Sequence, residues 1–245
     1  MDNALYVGLS RQMVLRRQMD IVANNIANAD TTGFKVESLM EKTQPSAPAV
    51  TAGGPRPVKF VMDDGLARDF GQGTLRQTGG TFDLGVEGKG FFKISTPDGE
   101  RYTRDGRFKM DETGRLTTQA GEPVLDAGGG EVTIDPEKGR VSIAEDGTIS
   151  QGDEQVGKIG VVSFDSLSVL EKAGDNLYRN TSNLQPQAAP DSLVRQGMLE
   201  GSNVKPIVEI TRMIEVNRAY ESMTKMMDSA ADLSRRSVER LGRMN

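Results

Sequence analysis

The C-terminal stretch of this sequence, residues 203–245, restricts the possible folds more than any other part. After Pro206 it contains no further proline and no glycine before Gly242. A proline is tolerated in the first turn of a helix, because the N–H that it lacks has no partner there. Asn203, just upstream, is a suitable N-cap. The sequence therefore predicts one long helix that begins near Pro206 and ends near Gly242.

Apolar and small residues recur along this predicted helix at alternating intervals of three and four. They are Met213, Val216, Tyr220, Met223, Met227, Ala230, Ser234, Ser237, Leu241 and Met244. Such spacing is a heptad seam, which packs against another helix. The seam is mainly Met, Ala and Ser, which pack closely but specify the geometry of a partner weakly. A second apolar stripe lies at the front of the helix and consists of Ile207, Ile210 and Ile214.

The N-terminus carries a weaker seam with the same spacing. Its members are Leu5, Gly8, Gln12, Leu15, Met19, Val22 and Ile26. This second helix is predicted to end between Asn28 and Gly33, and Gly33 is placed to stop it. Neither seam has another obvious partner, so we expect the two ends of the chain to pair with each other. Two alternatives remain, namely that both helices pack on one globular core, or that they pack on helices from other copies of the chain.

Between the predicted helices the pattern changes. Residues 43–57 hold four of the ten prolines and predict an extended linker. Short runs with strand chemistry follow, separated by turn signals such as Asp105-Gly106 and Asp146-Gly147, and this is typical of an all-β module.

These patterns together predict the fold class and the domains. We expect an α+β fold, in which long N- and C-terminal helices pair as a coiled-coil-like terminal domain around a central all-β domain. The terminal helical assembly domain is predicted at residues 1–35 and 200–245. A linker and extended strand segment is predicted at 36–80, and the central β-domain at 81–199.

The composition excludes several classes of function. The chain has no Cys and no His, which removes thiol nucleophiles, thiolate zinc sites and the commonest general base. The net charge is −5. A nucleic-acid binder normally shows a basic face, and nothing in the sequence requires one. No stretch approaches the length of a membrane span, and the start lacks the basic region of a secretory signal. We therefore predict no enzyme, no cofactor, no metal site, no nucleic-acid partner and no membrane insertion.

Two short motifs resemble sites of chemistry, and each is better explained by structure. The run from Ser222 to Lys225 fits S-x-x-K, but it lies in the middle of the predicted helix without the companion motifs of acylating enzymes. Gly85, Gly88 and Gly90 resemble a phosphate loop, but no helix follows them. Hairpin glycines are the simpler interpretation.

Three parts of the sequence resemble the signatures of one family, the bacterial flagellar axial proteins of the rod and hook class. The first resembles "NNxANxxTxGFK", the second resembles "LExSNV…RAYE", and the third resembles the core of the family's β-domain. In this chain they are Ala23–Asn28 with Asp30–Lys35, Leu199–Val204 with Arg218–Glu221, and Val86–Phe92 with Tyr102–Gly106 and Phe108. Together they cover both ends and the middle of the chain.

The resemblance implies a structural subunit of the flagellar rod in the basal body, spanning the periplasm. It implies export through the flagellar type III apparatus without a cleaved signal, and helical assembly with other copies and neighbouring rod proteins. The short β-region and the start of the chain resemble the proximal rod member most, and the distal rod and hook members are the near alternatives. An alternative of another class is a secreted β-domain that binds glycan. It requires an aromatic-lined cleft, whereas aromatic residues make up 5% of this chain and Trp is absent.

The seams and the signatures together predict which residues form the assembly interface. They are Leu5, Leu15, Met19, Val22, Asn24, Asn25, Ile26, Asn28, Thr32, Gly33, Phe34, Asn203, Val204, Met213, Val216, Arg218, Tyr220, Met223 and Met227.

Overall fold

The computed structural model describes residues 2–43, 61–182 and 184–242. The chain forms two compact units. The helical unit comprises Met1–Ala27, Glu37–Arg68 and Lys205–Asn245, and the β unit comprises Asn28–Val36 and Asp69–Val204.

The described part of the chain contains two α-helices, α1 (Asp2–Ala27) and α2 (Pro206–Gly242), and one 3₁₀ turn, Leu167–Val169. The bounds predicted for the C-terminal helix are confirmed. The strands are β1 (Glu37–Thr43), β2 (Val61–Arg68), β3 (Leu75–Gln77), β4 (Leu84–Glu87), β5 (Phe91–Thr96), β6 (Gly99–Thr103), β7 (Lys109–Met110), β8 (Leu116–Thr117), β9 (Val141–Ile143), β10 (Thr148–Gln151), β11 (Glu154–Lys158), β12 (Val161–Ser163), β13 (Leu170–Lys172), β14 (Leu177–Asn180), β15 (Gln187–Ala188), β16 (Leu193–Gln196) and β17 (Met198–Glu200).

The helical unit contains α1, α2 and an antiparallel pair of strands. β1 and β2 pair from Glu37↔Arg68 to Thr43↔Val61, with an irregularity between Leu39 and Glu41. α1 packs against α2 and against both strands. Near its start, Gly8 lets the two helices approach closely, because a Cβ on this glycine would lie 2.9 Å from Met227 Cγ.

The prediction of a coiled-coil-like pair of terminal helices is wrong. Residues 14, 15, 21 and 22 of α1 are all buried, and such adjacent pairs make a stripe wider than a coiled-coil seam. This wide stripe serves a helix that packs on a sheet as well as on another helix. On the seam predicted for α2, Val216 is the one fully buried member among the described side chains, while Met213, Tyr220, Met223 and Met227 are partly exposed.

Several sequence predictions fall outside the described residues. The linker predicted at 43–57 does so except for Thr43, which ends β1. On the helical seams the same holds for the side chains of Leu5, Ser234, Ser237 and Leu241, and for Met244.

The β unit is built on a six-stranded antiparallel sheet with the order β13-β14-β6-β5-β12-β15. The β unit also contains smaller separate sheets, including the two-stranded pairs β16 with β4 and β17 with β3. The central strand β5 is buried on both faces: Phe92 and Ile94 enter one apolar core, and Phe91 enters another together with Tyr178. Successive side chains of a strand point to opposite faces, so a run of apolar residues predicts a strand that is covered on both sides.

Candidate assembly surface

A row of large apolar side chains on α1 is exposed in the helical unit. Tyr6, Leu9 and Met13 are spaced by three and four residues, so they share one face of the helix. Their exposed fractions are 62%, 46% and 67%. We call these three residues the α1 row. It was not predicted from the sequence, although the spacing was a signal, because its residues lie beside the positions assigned to the seam.

A second exposed row lies at the start of α2. Ile207, Ile210 and Ile214 have the same spacing, with Val208 beside them. Ile207 is 81% exposed and the other three are about half exposed. These residues, the α2 row, include the second stripe that the sequence indicated. Large apolar side chains that are exposed together on one helix face are candidates for an interaction surface.

The predicted interface residues of α1 differ in exposure. Leu15, Val22 and Asn25 are buried inside the helical unit, Met19 and Ile26 are partly buried, and Asn24 is exposed. On α2, Val216 is buried, Arg218 is exposed, and the remaining predicted positions are partly buried. The buried side chains hold the unit together. Whether a second subunit also contacts this region stays a prediction.

Asn25 of the first signature holds α1 to the sheet of the helical unit. Its amide exchanges two hydrogen bonds with the backbone of Glu37, donating to the carbonyl at 2.8 Å and accepting from the N–H at 3.0 Å. The same Nδ2 donates to the Glu209 carboxylate of α2 at 2.9 Å. Arg68 and Arg212 donate to the carboxylates of Glu37 and Glu209. A fully buried amide is therefore satisfied on every side, which is what a buried polar group requires.

Gly33 and Phe34 of the first signature lie in the β unit. Gly33 adopts φ 70°, and a Cβ there would lie 2.5 Å from the backbone nitrogen of Asp105. Only glycine fits this turn. Phe34 is buried, and Lys172 Nζ lies 4.5 Å from the centre of its ring. Two more predicted interface residues hold the same segment. The Asn28 side chain accepts a hydrogen bond from the Thr31 hydroxyl at 3.1 Å, and the Thr32 carbonyl accepts one from the Asn176 side chain at 3.1 Å.

Asn203 and Val204 of the second signature also serve the β unit. The Asn203 side chain accepts a hydrogen bond from the Val36 N–H at 2.8 Å. It donates to the carbonyls of Asp69 at 2.8 Å and Gly71 at 3.1 Å. Val204 is buried. Asn203 was predicted as a helix cap, and its side chain instead joins two backbone segments of the β unit, one at Val36 and one at residues 69–71.

A fully buried charged cluster in the β unit is centred on Glu200. One carboxylate oxygen accepts from Lys35 Nζ at 2.6 Å and from the Gly73 N–H at 2.8 Å. The other accepts from Arg104 Nη1 at 3.1 Å. Lys35 Nζ also donates to the Gly71 carbonyl at 2.8 Å. The side chains of Glu200 and Lys35 are 0% exposed and that of Arg104 is 2% exposed.

Burial dominates the electrostatics of this cluster. Removal from water lowers the pKa of Lys35, and the Glu200 carboxylate opposes that shift. Burial lowers the pKa of Arg104 in the same way, again against Glu200. Arg104 also donates to the Gly88 carbonyl at 2.7 Å, and its guanidinium lies 4.8 Å from the centre of the Phe91 ring. Its Nε has no hydrogen-bond partner in the described part of the chain.

The three signature regions therefore meet at one place, with Lys35 from the first, Glu200 from the second and Arg104 from the third. None of these charged residues was among the predicted interface residues. The signal was available, because each is a charged residue in a run of apolar, glycine or turn residues. What the sequence could not show is that they share one buried site.

The β unit also has an open groove of about 630 Å³. Its lining mixes glycines with Met110, Ile134, Pro136 and Met198, and Phe82 is the one aromatic side chain among these described residues. Residues 2–43, 61–182 and 184–242 contain no group of three acidic, His or Cys residues that could hold a metal ion. None of the described helices is long and apolar enough to cross a membrane.

Comparisons with known families match three parts of the chain. Residues 5–35 match the family described as flagella basal body rod protein. Residues 85–151 match the flagellar hook protein FlgE/F/G D1 domain, and residues 195–240 match the flagellar basal body rod FlgEFG protein C-terminal region. These ranges contain the signatures found in the sequence.

Comparisons with curated proteins agree. The chain is 62% identical to the flagellar basal-body rod protein FlgF of Caulobacter vibrioides over 245 residues, which is 100% of both chains. It is 37% identical to FlgF of Mesorhizobium japonicum, with 99% of both chains covered. It is 33% identical to the rod protein FlgG of Bacillus subtilis, with 95% of this chain and 97% of the relative covered. The chain therefore belongs to the flagellar basal-body rod proteins of the FlgF type, and it is a structural subunit that lies with other rod proteins in the flagellar basal body.

Proposed function

We propose that this chain builds the proximal part of the rod by packing the α1 row and the α2 row of its helical unit against neighbouring subunits. The observation that carries the proposal is the exposure of both rows in the isolated chain. A subunit of an axial structure has to bury such surfaces on assembly, because the free energy falls when apolar surface is removed from water. The two rows lie on different helices, so one subunit can bind a neighbour through each.

The rod position follows from similarity. The identity to FlgF of Caulobacter vibrioides, 62%, is far above the 33% identity to FlgG of Bacillus subtilis. This difference supports a proximal rod subunit over a distal rod or hook subunit. A glycan-binding role has less support, because the open groove of the β unit offers one aromatic ring, Phe82, for stacking on a sugar.

We further propose that the chain reaches the rod through the flagellar type III export apparatus, enters no membrane and catalyses no reaction. The family resemblance supports export by this route. The relatives are structural rod proteins, and this supports the absence of catalysis.

The experiment that tests assembly places a charge on one exposed row. Ile210→Asp should abolish rods, because a carboxylate buried without a partner costs several kcal/mol in each subunit interface. Ile210 is 49% exposed in the single chain, so the fold of the variant should survive. Basal bodies are isolated from cells that carry only the variant, and rods are counted by electron microscopy.

The matched control is Leu184→Asp, the same change at a leucine that is 62% exposed in the β unit. The control should assemble rods and support swimming. Secreted subunit is measured alongside to separate an export defect from an assembly defect. Normal rods from Ile210→Asp would show that the α2 row faces water in the rod and would refute this assembly surface.

A further inference from the structure

The β unit is closed by its last segment, residues 193–204. Within this segment β16 pairs with β4, from Leu193↔Glu87 to Gln196↔Leu84, and β17 pairs with β3. Val194 is 2% exposed and belongs to the same core as Leu84 and Val86. These pairings join parts of the chain that are far apart in sequence. Without the closing segment, β3 and β4 would lose these partner strands, and the core would open to water.

The closing segment also holds the first segment of the β unit, residues 28–36. The Glu200 carbonyl accepts a hydrogen bond from the Gly33 N–H at 2.8 Å, and the Glu200 carboxylate binds Lys35. Asn203 binds the Val36 N–H. The first and last segments of the unit therefore join each other as well as its centre.

The buried charges of the β unit require the first and last segments to join. Lys35 and Arg104 are buried cations, and within the described residues Glu200 is the only carboxylate that forms an ion pair with either. A buried charge without a counter-charge is strongly unfavourable, and here two positive charges would remain together. A chain whose residue 200 has not yet joined cannot bury Lys35 and Arg104 at acceptable cost.

We propose that Glu200 is a folding clasp, which makes the native packing of the β unit conditional on the presence of both residues 28–36 and residues 193–204. The unit then completes late and in one step. Export of the subunit as an unfolded chain is part of the function proposed above, and this step of the argument rests on it. During such export the clasp delays folding of the β unit until all of its residues have left the export apparatus. This holds whichever end emerges first, because the clasp needs both.

The test uses the full-length chain and the variant Glu200→Gln, which removes the charge and keeps the shape and the backbone pairing of β17. Refolding from urea is followed by pulsed hydrogen exchange of the amides in β4, β5 and β6. A clasp on which the native packing depends has to form by the rate-limiting step, so Glu200→Gln should slow or abolish their protection. Glu171→Gln is the matched control, because Glu171 forms an exposed pair with Arg179. The control should refold at the wild-type rate.

A second variant keeps the test decisive if Glu200→Gln does not fold. Lys35→Met combined with Glu200→Gln removes one of the uncompensated cations, so it should restore protection in part. The proposal is overturned if the double variant refolds no better than Glu200→Gln, or if Glu200→Gln refolds at the wild-type rate and only unfolds faster. These measurements use purified protein and do not depend on the rod, so either result leaves the proposed function to its own experiment.

Discussion

At the scale of single residues, the signature positions of this chain act through polar contacts, which are buried at Asn25 and Glu200 and partly exposed at Asn203. Asn25, Asn203 and Glu200 each satisfy several donors or acceptors that come from separate segments. A buried group of this kind contributes little net free energy while it is paired, but leaving its partners unpaired costs about 1–3 kcal/mol for each neutral group and more for a charged one. Their importance therefore lies in the partners that would otherwise stay unsatisfied.

The contacts of Asn25 lead to a prediction about charge. The Asn25 amide donates hydrogen bonds to the Glu37 carbonyl and to the Glu209 carboxylate. Asn25→Asp puts a carboxyl group of the same shape in its place, and an ionised carboxyl cannot donate. We expect the helical unit to lose about 3–5 kcal/mol at neutral pH, because the ionised carboxyl is a buried charge without a partner. Burial beside Glu209 raises the folded pKa of the new carboxyl above its unfolded value. Protonation therefore recovers part of the stability below the unfolded pKa, because the neutral carboxyl has one O–H to donate where the amide has two N–H. This part is lost as the pH rises through the folded pKa.

The measurement is urea unfolding followed by helical circular dichroism over a range of pH. Asn217→Asp is the matched control, because Asn217 is an exposed asparagine of α2. It should show little effect. A pH-independent loss in Asn25→Asp would contradict the charge argument.

At the scale of elements, the exposed faces of the helices matter as much as the buried ones. α1 and α2 each bury one side within the helical unit and expose an apolar row. A helix with apolar residues on two faces is unusual for a monomer and is typical of a subunit that packs on more than one partner. The β unit contrasts with this, because its largest aromatic side chains fill its own cores.

A prediction at this scale concerns Gly8, where α1 lies close to Met227 of α2. Gly8→Ala should change stability by less than about 1 kcal/mol, because the gain in helix propensity offsets a small movement of the flexible Met227 side chain. Gly8→Leu should cost about 1–3 kcal/mol, because a side chain of this size forces the helices apart.

Urea unfolding followed by the helical signal compares the two variants with the wild type. If Gly8→Leu is as stable as Gly8→Ala, the helices do not approach each other at this point in solution.

At the scale of the whole molecule, two units alternate along one chain, and each is assembled from segments that are distant in sequence. Deleting either end of the chain therefore removes only part of a unit. The boundary that matters at the C-terminal side is Val204, the last residue of the β unit, and not the first residue of α2.

This boundary gives a prediction about truncation. A chain that stops after Val204 should keep the cooperative unfolding of the β unit, because it retains β16, β17, Glu200 and Asn203. A chain that stops after Ser192 should lose it, because the core is left open and two cations are left without their carboxylate. Differential scanning calorimetry of both chains measures the transition. A transition retained by the shorter chain would show that the last strands are dispensable.

The C-terminal helix, the β-rich centre and the family could be predicted from the sequence alone. Proline, glycine and the apolar spacing were enough to place α2 from Pro206 to Gly242, since helix ends follow local backbone chemistry. The turn-rich centre indicated β structure, and the three signatures indicated the flagellar rod proteins, which the comparisons confirm. What the seams pack against, and which charges meet, depends on the tertiary structure. Heptad spacing shows that a face is apolar, but a sheet can cover that face as well as a helix can, and here β1 and β2 share it. Lys35, Arg104 and Glu200 are brought together by pairings between distant strands, and no local pattern along the chain encodes the distance between them.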